Sequence, residues 1–302
     1  MTDFSLPICD RGLSRRRFLA LSAIVSLGIP RLIREVHGMA LEPTPSLLSA
    51  PLELAGSWKS SPADAVLRVL SRMREVSLAG VSLLSDRQPG KIRVDSHASG
   101  SPAIWLHDDQ TNVAWIIVDI GTDDWCKLSY QFGHELGHVL CNSWNAKSQP
   151  HTPSQWLEES MVEAFSIRGL GLLAASWERN PPFAGDAAFG TKIREYRENL
   201  LKKYGGAGEQ TSDAEIASWF RTSRRALEQS ALSGIEGPFI IRVVSEFERD
   251  IACVEDLGAL NRWPSRSGAP LEDYLSLWER SCTEVHALGR LPARLRSLLG
   301  VS

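Results

Sequence analysis

Cys-x-x-Cys pairs are absent, which removes the usual cysteine-based zinc sites. No surplus of one charge exists either: 33 lysines and arginines stand against 36 acidic residues, a net charge of −3. That balance excludes a strongly basic nucleic-acid binder and offers an anionic lipid surface little to hold. The apolar run Phe18 to Ile29 falls short of the roughly 20 residues a membrane-spanning helix needs. No internal repeat and no low-complexity tract occur. With 43% hydrophobic and 23% charged residues over 302 positions, the chain is neither collagenous, nor a disulfide-knotted miniprotein, nor mostly disordered. Its length suits one large or two modest domains with a real core.

What is present begins with an address. Ser14-Arg15-Arg16-Arg17-Phe18-Leu19 precedes the apolar run, Pro30 ends it, and Gly38-Met39-Ala40 supplies small residues for cleavage. That order of basic, apolar and small segments is the layout of an export signal, and its Ser-Arg-Arg-x-Phe-Leu core resembles a twin-arginine signal. Residues 1–40 are read as this signal, the rest as a periplasmic or secreted protein with no stable membrane insertion. Cys126, Cys141, Cys253 and Cys282 follow the signal. Their even number permits disulfides in an oxidising compartment, with Cys253–Cys282 slightly favoured and buried free thiols as the alternative.

Residues 41–60 are rich in Pro and Ser and read as a linker. Helical spacing runs over 62–78. Strand patterns cover Lys91–Asp95, Ala103–His107 and Val113–Ile120. Asp123 or Asp124 caps a helix from about Trp125 to Cys141, and a second helix runs from Pro153-Ser154 to about Trp177. Further helical patterns span 187–204, 213–232, 236–250 and 271–287. Strands first and helices afterwards make an α+β layout.

The chemistry concentrates in Gly133-His134-Glu135-Leu136-Gly137-His138. His134 and His138 are four apart on a helix, so both imidazoles leave one face a turn apart. That spacing suits two nitrogen ligands on one Zn²⁺, with Glu135 beside them as a general base. A catalytic zinc needs a third protein ligand. The metzincin pattern would require Gly at 141 and His at 144, where Cys141 and Trp144 stand.

Downstream, Gln155-Trp156-Leu157-Glu158-Glu159-Ser160-Met161-Val162-Glu163-Ala164-Phe165 resembles the second-helix signature of the gluzincin zinc metallopeptidases, the clan of thermolysin and the M1 aminopeptidases. The resemblance implies a glutamate about twenty residues past the second histidine as third ligand, with an acid one turn later supporting a ligand histidine. Glu159 has Glu163 at i+4, whereas Glu158 has Val162. Glu159 is therefore assigned as ligand and Glu163 as the partner of a histidine, His134 first. Glu158 stays as rival third ligand, His151 as rival nitrogen ligand, and Cys141 or His151 as a fourth ligand that would close the site.

Asn112-Val113-Ala114-Trp115 is similar to the clan's edge strand, which implies substrate contacts at Asn112, Ala114 and Trp115 and a peptide laid along Val113–Ile120. Ser233-Gly234-Ile235-Glu236-Gly237-Pro238-Phe239 is similar to a helix start in the clan's C-terminal part. The oxyanion-stabilising group stays open among Tyr130, Tyr196, Tyr204, Tyr274 and His286. The Gly-x-Met-Glu-Asn segment that binds a substrate amino terminus in M1 aminopeptidases is missing.

The expected organisation is a signal (1–40), a linker (41–60), a zincin-like catalytic core (61–180) and a helical C-terminal subdomain (181–302). The expected activity is zinc-dependent hydrolysis of peptide bonds in a peptide or protein substrate, by one Zn²⁺, its water and Glu135. An exported zinc-binding protein with little turnover and a zinc hydrolase of a non-peptide bond are the alternatives.

Overall fold

A computed structural model describes residues 46–58, 61–97, 101–120, 124–205, 211–231 and 234–301. The signal segment 1–40 lies outside the described residues. Among those described, the chain is mixed α+β and mostly helical, with nine α-helices and one small four-stranded sheet.

Strands β1 (Leu52–Gly56), β2 (Lys91–Ser96), β3 (Ala103–Ile104) and β4 (Val113–Val118) assemble in the order β1-β2-β4-β3. The first three positions are parallel, and β3 pairs antiparallel on the outer side of β4. Alternation explains the faces. Ile92, Val94, Ala114 and Ile116 are buried on one face, while Glu53, Arg93 and Trp115 share a register row on the other. The Arg93 guanidinium lies 3.9 Å from the centre of the Trp115 ring.

Helix α1 (Ala63–Leu78) connects β1 to β2, as a parallel pair requires. Its stripe of Val66, Val69, Leu70 and Met73 is fully buried. β1 lies inside the stretch 41–60 expected as a linker. There the alternation Leu52-Glu53-Leu54 in a short segment overrides the Pro and Ser around it. Likewise β3 stops at Ile104, short of the expected His107, although Trp105 N still donates to Trp115 O.

Helices α2 (Trp125–Leu140) and α3 (Gln155–Arg179) follow. Asp124, one of the two expected caps, accepts from Lys127 N. Every residue of α3 from Gln155 to Leu170 is buried, so this helix is central and apolar or paired all round. It is packed by α1, α2, α4 (Phe189–Lys203) and α6 (Gly237–Arg249). Helix α5 (Asp213–Leu227) carries a Ser212/Glu215 capping box. The chain closes with α7 (Ile251–Glu255), two short 3₁₀ turns, α8 (Leu271–Glu284) and α9 (Arg290–Leu299). Sequence patterning assigned no element to α9, where proline stands at the third helical position.

The four cysteines among the described residues are unpaired, and Cys141, Cys253 and Cys282 are buried. The favoured Cys253–Cys282 bridge is thus corrected to buried thiols. Burial pushes the Cys253 thiol up to about 12. No helix among the described residues is long and apolar enough to cross a membrane.

Candidate metal centre

Close packing of α2 on α3 builds the site. Gly137 sits where a Cβ would meet Val162 Cβ at 2.9 Å and its backbone Cα at 3.2 Å. Glycine there lets the two helix backbones approach. The approach carries the carboxylates of α3 up to the imidazoles of α2. Helix α2 then ends two residues beyond His138, at Leu140. Ser143 N bonds to His138 O and Asn142 N to Val139 O, while Asn142 adopts φ 62°. This is a Schellman ending with asparagine in the left-handed position.

His134, His138 and Glu159 each offer a ligand atom, and these atoms lie within 4.8 Å of one another. Glu159 Oε2 is 3.5 Å from His134 Nε2 and 3.4 Å from His138 Nε2. Ligand atoms about 2.0–2.1 Å from a tetrahedral zinc stand about 3.3–3.4 Å apart, so the spacing fits that ion. Each ligand residue is also held by its other polar atom. His134 Nδ1 is 2.9 Å from Glu163 Oε2, and His138 Nδ1 is 2.7 Å from Glu158 Oε1. Glu159 Oε1 accepts from Gln155 Nε2 at 2.9 Å. A histidine whose Nδ1–H is given to a carboxylate presents Nε2 in the metal-binding tautomer. The donor set therefore fits Zn²⁺.

Electrostatics follow from four acids around two imidazoles. Burial alone would lower the His138 pKa, but Glu159 and Glu158 outweigh it and hold it up at about 9. His134 is likewise driven well above its usual value against burial, by hydrogen bonds to Glu159 and Glu163. Burial would raise Glu159, yet the two histidines hold it well below the carboxylate range. Glu135 is 3% exposed between the histidines on α2, near enough to act on His134 electrostatically. The His134 and Glu159 side chains keep 16% and 10% exposure, against 2% for His138. The group is thus reached from the His134 and Glu159 side.

Glu158 takes a role the sequence did not give it. It lies on the other side of His138, at Nδ1, while Glu159 reaches Nε2. Successive helix residues are 100° apart, so neighbouring glutamates bracket the ring. His151 is exposed and Cys141 is buried at the end of α2, and neither belongs to the ligand group. Among the tyrosines weighed for an oxyanion, Tyr130 and Tyr204 both donate to Glu163 Oε1, at 2.7 and 2.8 Å. Tyr274 is buried and donates to Asn261 Oδ1. Tyr196 packs on the Tyr130 ring, and His286 is exposed at φ 60°. Gln155 and Tyr204 could have been found by i+4 spacing and proximity to helix ends. Asn261, over a hundred residues from Glu158, had no local signal.

The strand contacts need correction. β4 is an inner strand between β2 and β3, and β3 covers its outer side at Trp115–Ile117, which is therefore not an open edge. Asn112 accepts from Gly90 N, Ala114 faces the helical core, and Trp115 lies on the opposite sheet face. These three side chains do not share one surface. The outer edge on this side is β3, which contacts α2.

No family model matches the chain, and no curated protein or solved structure matches it.

Proposed function

We propose that the protein is a zinc-dependent metallopeptidase, exported by the arginine-containing signal of residues 1–40, with a zincin-like core. One observation carries this reading. Three convergent donors, on His134, His138 and Glu159, are each fixed by a second polar contact, with the buried acid Glu135 next to His134 in sequence and acting on it electrostatically. Bound there, Zn²⁺ supplies a Lewis acid that polarises a scissile carbonyl and acidifies a water.

The remaining work belongs to side chains. Glu135 takes a proton from the attacking water and passes it to the departing amine. Glu163 and Glu158 keep the two rings from turning. A substrate would approach from the His134 and Glu159 side, where the side chains keep 16% and 10% exposure. A peptide running along the outer edge of β3 would reach the group past α2, by strand addition.

Three donors, with no fourth in the group among the described residues, favour hydrolysis over a closed structural zinc, which takes four. The absent amino-terminus-binding segment favours endopeptidase action.

The test combines metal analysis and cleavage of a mixed peptide library. The native protein should hold one zinc per chain and cleave. Glu135→Gln should keep the zinc and lose about 10²–10⁴-fold in rate. Glu159→Ala should lose both zinc and cleavage. Full zinc with no cleavage by the native protein would overturn the peptidase reading in favour of a zinc-binding factor.

A further inference from the structure

Beyond the HExxH motif, the loop that ends α2 meets the segment 258–274 in a buried polar cluster. Asn142, Asn261 and Arg266 are three of the four non-glycine residues at positive φ among the described residues, at 62°, 57° and 45°. Arginine is uncommon there, and such backbone persists only where its surroundings over-determine it. Here they do. The Arg266 guanidinium, 7% exposed, donates to Asn261 O at 2.9 Å, Asn142 O at 3.1 Å and Ser143 Oγ at 2.7 Å.

Asn261 is fully buried at the centre of this cluster. Its Nδ2 donates to Glu158 Oε2 at 2.8 Å and to Ser143 Oγ at 3.1 Å. Its Oδ1 accepts from Tyr274 OH at 3.0 Å. Chemistry fixes which way the amide faces. An ionised carboxylate only accepts, so it must meet the NH₂, and the tyrosine hydroxyl supplies the proton to the carbonyl. Through Glu158, whose other oxygen meets His138 Nδ1, the amide is one residue removed from a ligand ring.

We infer that Asn261 is a positioning residue for His138, acting through Glu158 and locked in place by Tyr274 and Arg266. The inference rests on the zinc-site reading above. A carboxylate tethered only at His138 Nδ1 is free to rotate about its own axis and let the ring follow. A donor on its second oxygen removes that freedom, so the direction of His138 Nε2 is set by the C-terminal region. Arg266 adds positive charge beside a buried carboxylate that would otherwise be costly to keep ionised. The αL backbone at Asn261 is what aims its side chain back toward α3.

A purely mechanical staple between α2 and the C-terminal region would give the same contacts, so the test must separate the two. Asn261→Asp keeps the shape, tolerates αL backbone and keeps the acceptor for Tyr274, but turns the donor facing Glu158 into an acceptor. Zinc affinity is measured on the full chain by competition with a chelator, alongside unfolding of the metal-free protein and the visible absorption of the Co²⁺ form. Asn261→Asp should weaken zinc about 10–100-fold and shift the cobalt bands. Tyr274→Phe should weaken zinc by a smaller factor, and it decides the matter if Asn261→Asp fails to fold. In a Glu158→Ala background, Asn261→Asp should change the affinity no further, because the path through Glu158 is already cut.

Native-like zinc affinity in both single variants, or a further full loss in the Glu158→Ala background, would overturn the inference while leaving the zinc site standing. A native protein that takes up no zinc or cobalt would instead overturn the zinc-site reading itself.

Discussion

His134 and His138 sit among more carboxylates than two neutral imidazoles can balance. In the metal-free protein they are therefore held protonated, His134 well above its usual pKa and His138 at about 9. A zinc ion bound by these groups, as proposed, would have to displace those protons. Uptake at neutral pH should release about one to two protons per ion, and affinity should rise with pH until both histidines have titrated. Calorimetry in buffers of different ionisation enthalpy reads the number directly. Binding without proton release would place the ion elsewhere. At this scale much was legible, because helical spacing converts sequence distance into direction. The pairing of His134 with His138 follows from i+4 spacing. Glu159 and Glu163 come from the gluzincin resemblance, with i+4 spacing choosing Glu159 over Glu158. The structure groups Glu159 with both rings and sets Glu163 against His134. The role of Glu158 was not legible. Whether it reaches Nδ1 or Nε2 depends on how α3 is rotated against α2, which no local pattern fixes.

Elements place these residues, and the α2–α3 contact does most of the placing. A helix-interior glycine ordinarily costs about 1 kcal/mol against alanine, so Gly137→Ala should stabilise on propensity alone. Overpacking opposes it at about 1–3 kcal/mol. The new Cβ would meet the Val162 backbone, which cannot swing aside, so overpacking wins. Gly137→Ala should lower the stability of the metal-free protein and weaken zinc by spreading the helices. Chemical denaturation and chelator competition measure the two effects. A gain in stability would show that the helices have slack there. The two glycines of the motif were visible in the sequence, but their meaning depends on what lies opposite. The same holds for the sheet. Strand patterns at Lys91, Ala103 and Val113 were readable. The order β1-β2-β4-β3 was not, since pairing partners are non-local, and β1 was hidden in a stretch read as linker.

For the molecule as a whole, the site is shared between parts distant in the chain. α2 and α3 supply the three candidate donors, Tyr204 at the end of α4 supports Glu163, and the 258–274 segment supports Glu158. An ion bound there stabilises the folded state by mass action, about 2.7 kcal/mol at a hundredfold excess over its dissociation constant. For a chain of this size that corresponds to a rise of about 4–5 °C in the unfolding midpoint. Removing zinc with a chelator should lower the midpoint by that amount, and adding zinc back should restore it. A midpoint indifferent to the chelator would mean that no tightly held ion couples to the fold. The α+β layout and the helices 187–204, 236–250 and 271–287 were readable from periodicity to within three residues, whereas the helix expected over 213–232 ends at Leu227. The centrality of α3 was not, because a helix that is buried on all sides shows no preferred face.

The central claim is that His134, His138 and Glu159 hold one zinc ion. Crystals of the zinc-loaded protein, with diffraction recorded on both sides of the zinc absorption edge, test it most directly. One strong anomalous peak per chain is expected, about 2.0–2.2 Å from His134 Nε2, His138 Nε2 and a Glu159 oxygen. No peak there, or a peak coordinated by Glu158 or Cys141 in place of Glu159, would contradict it.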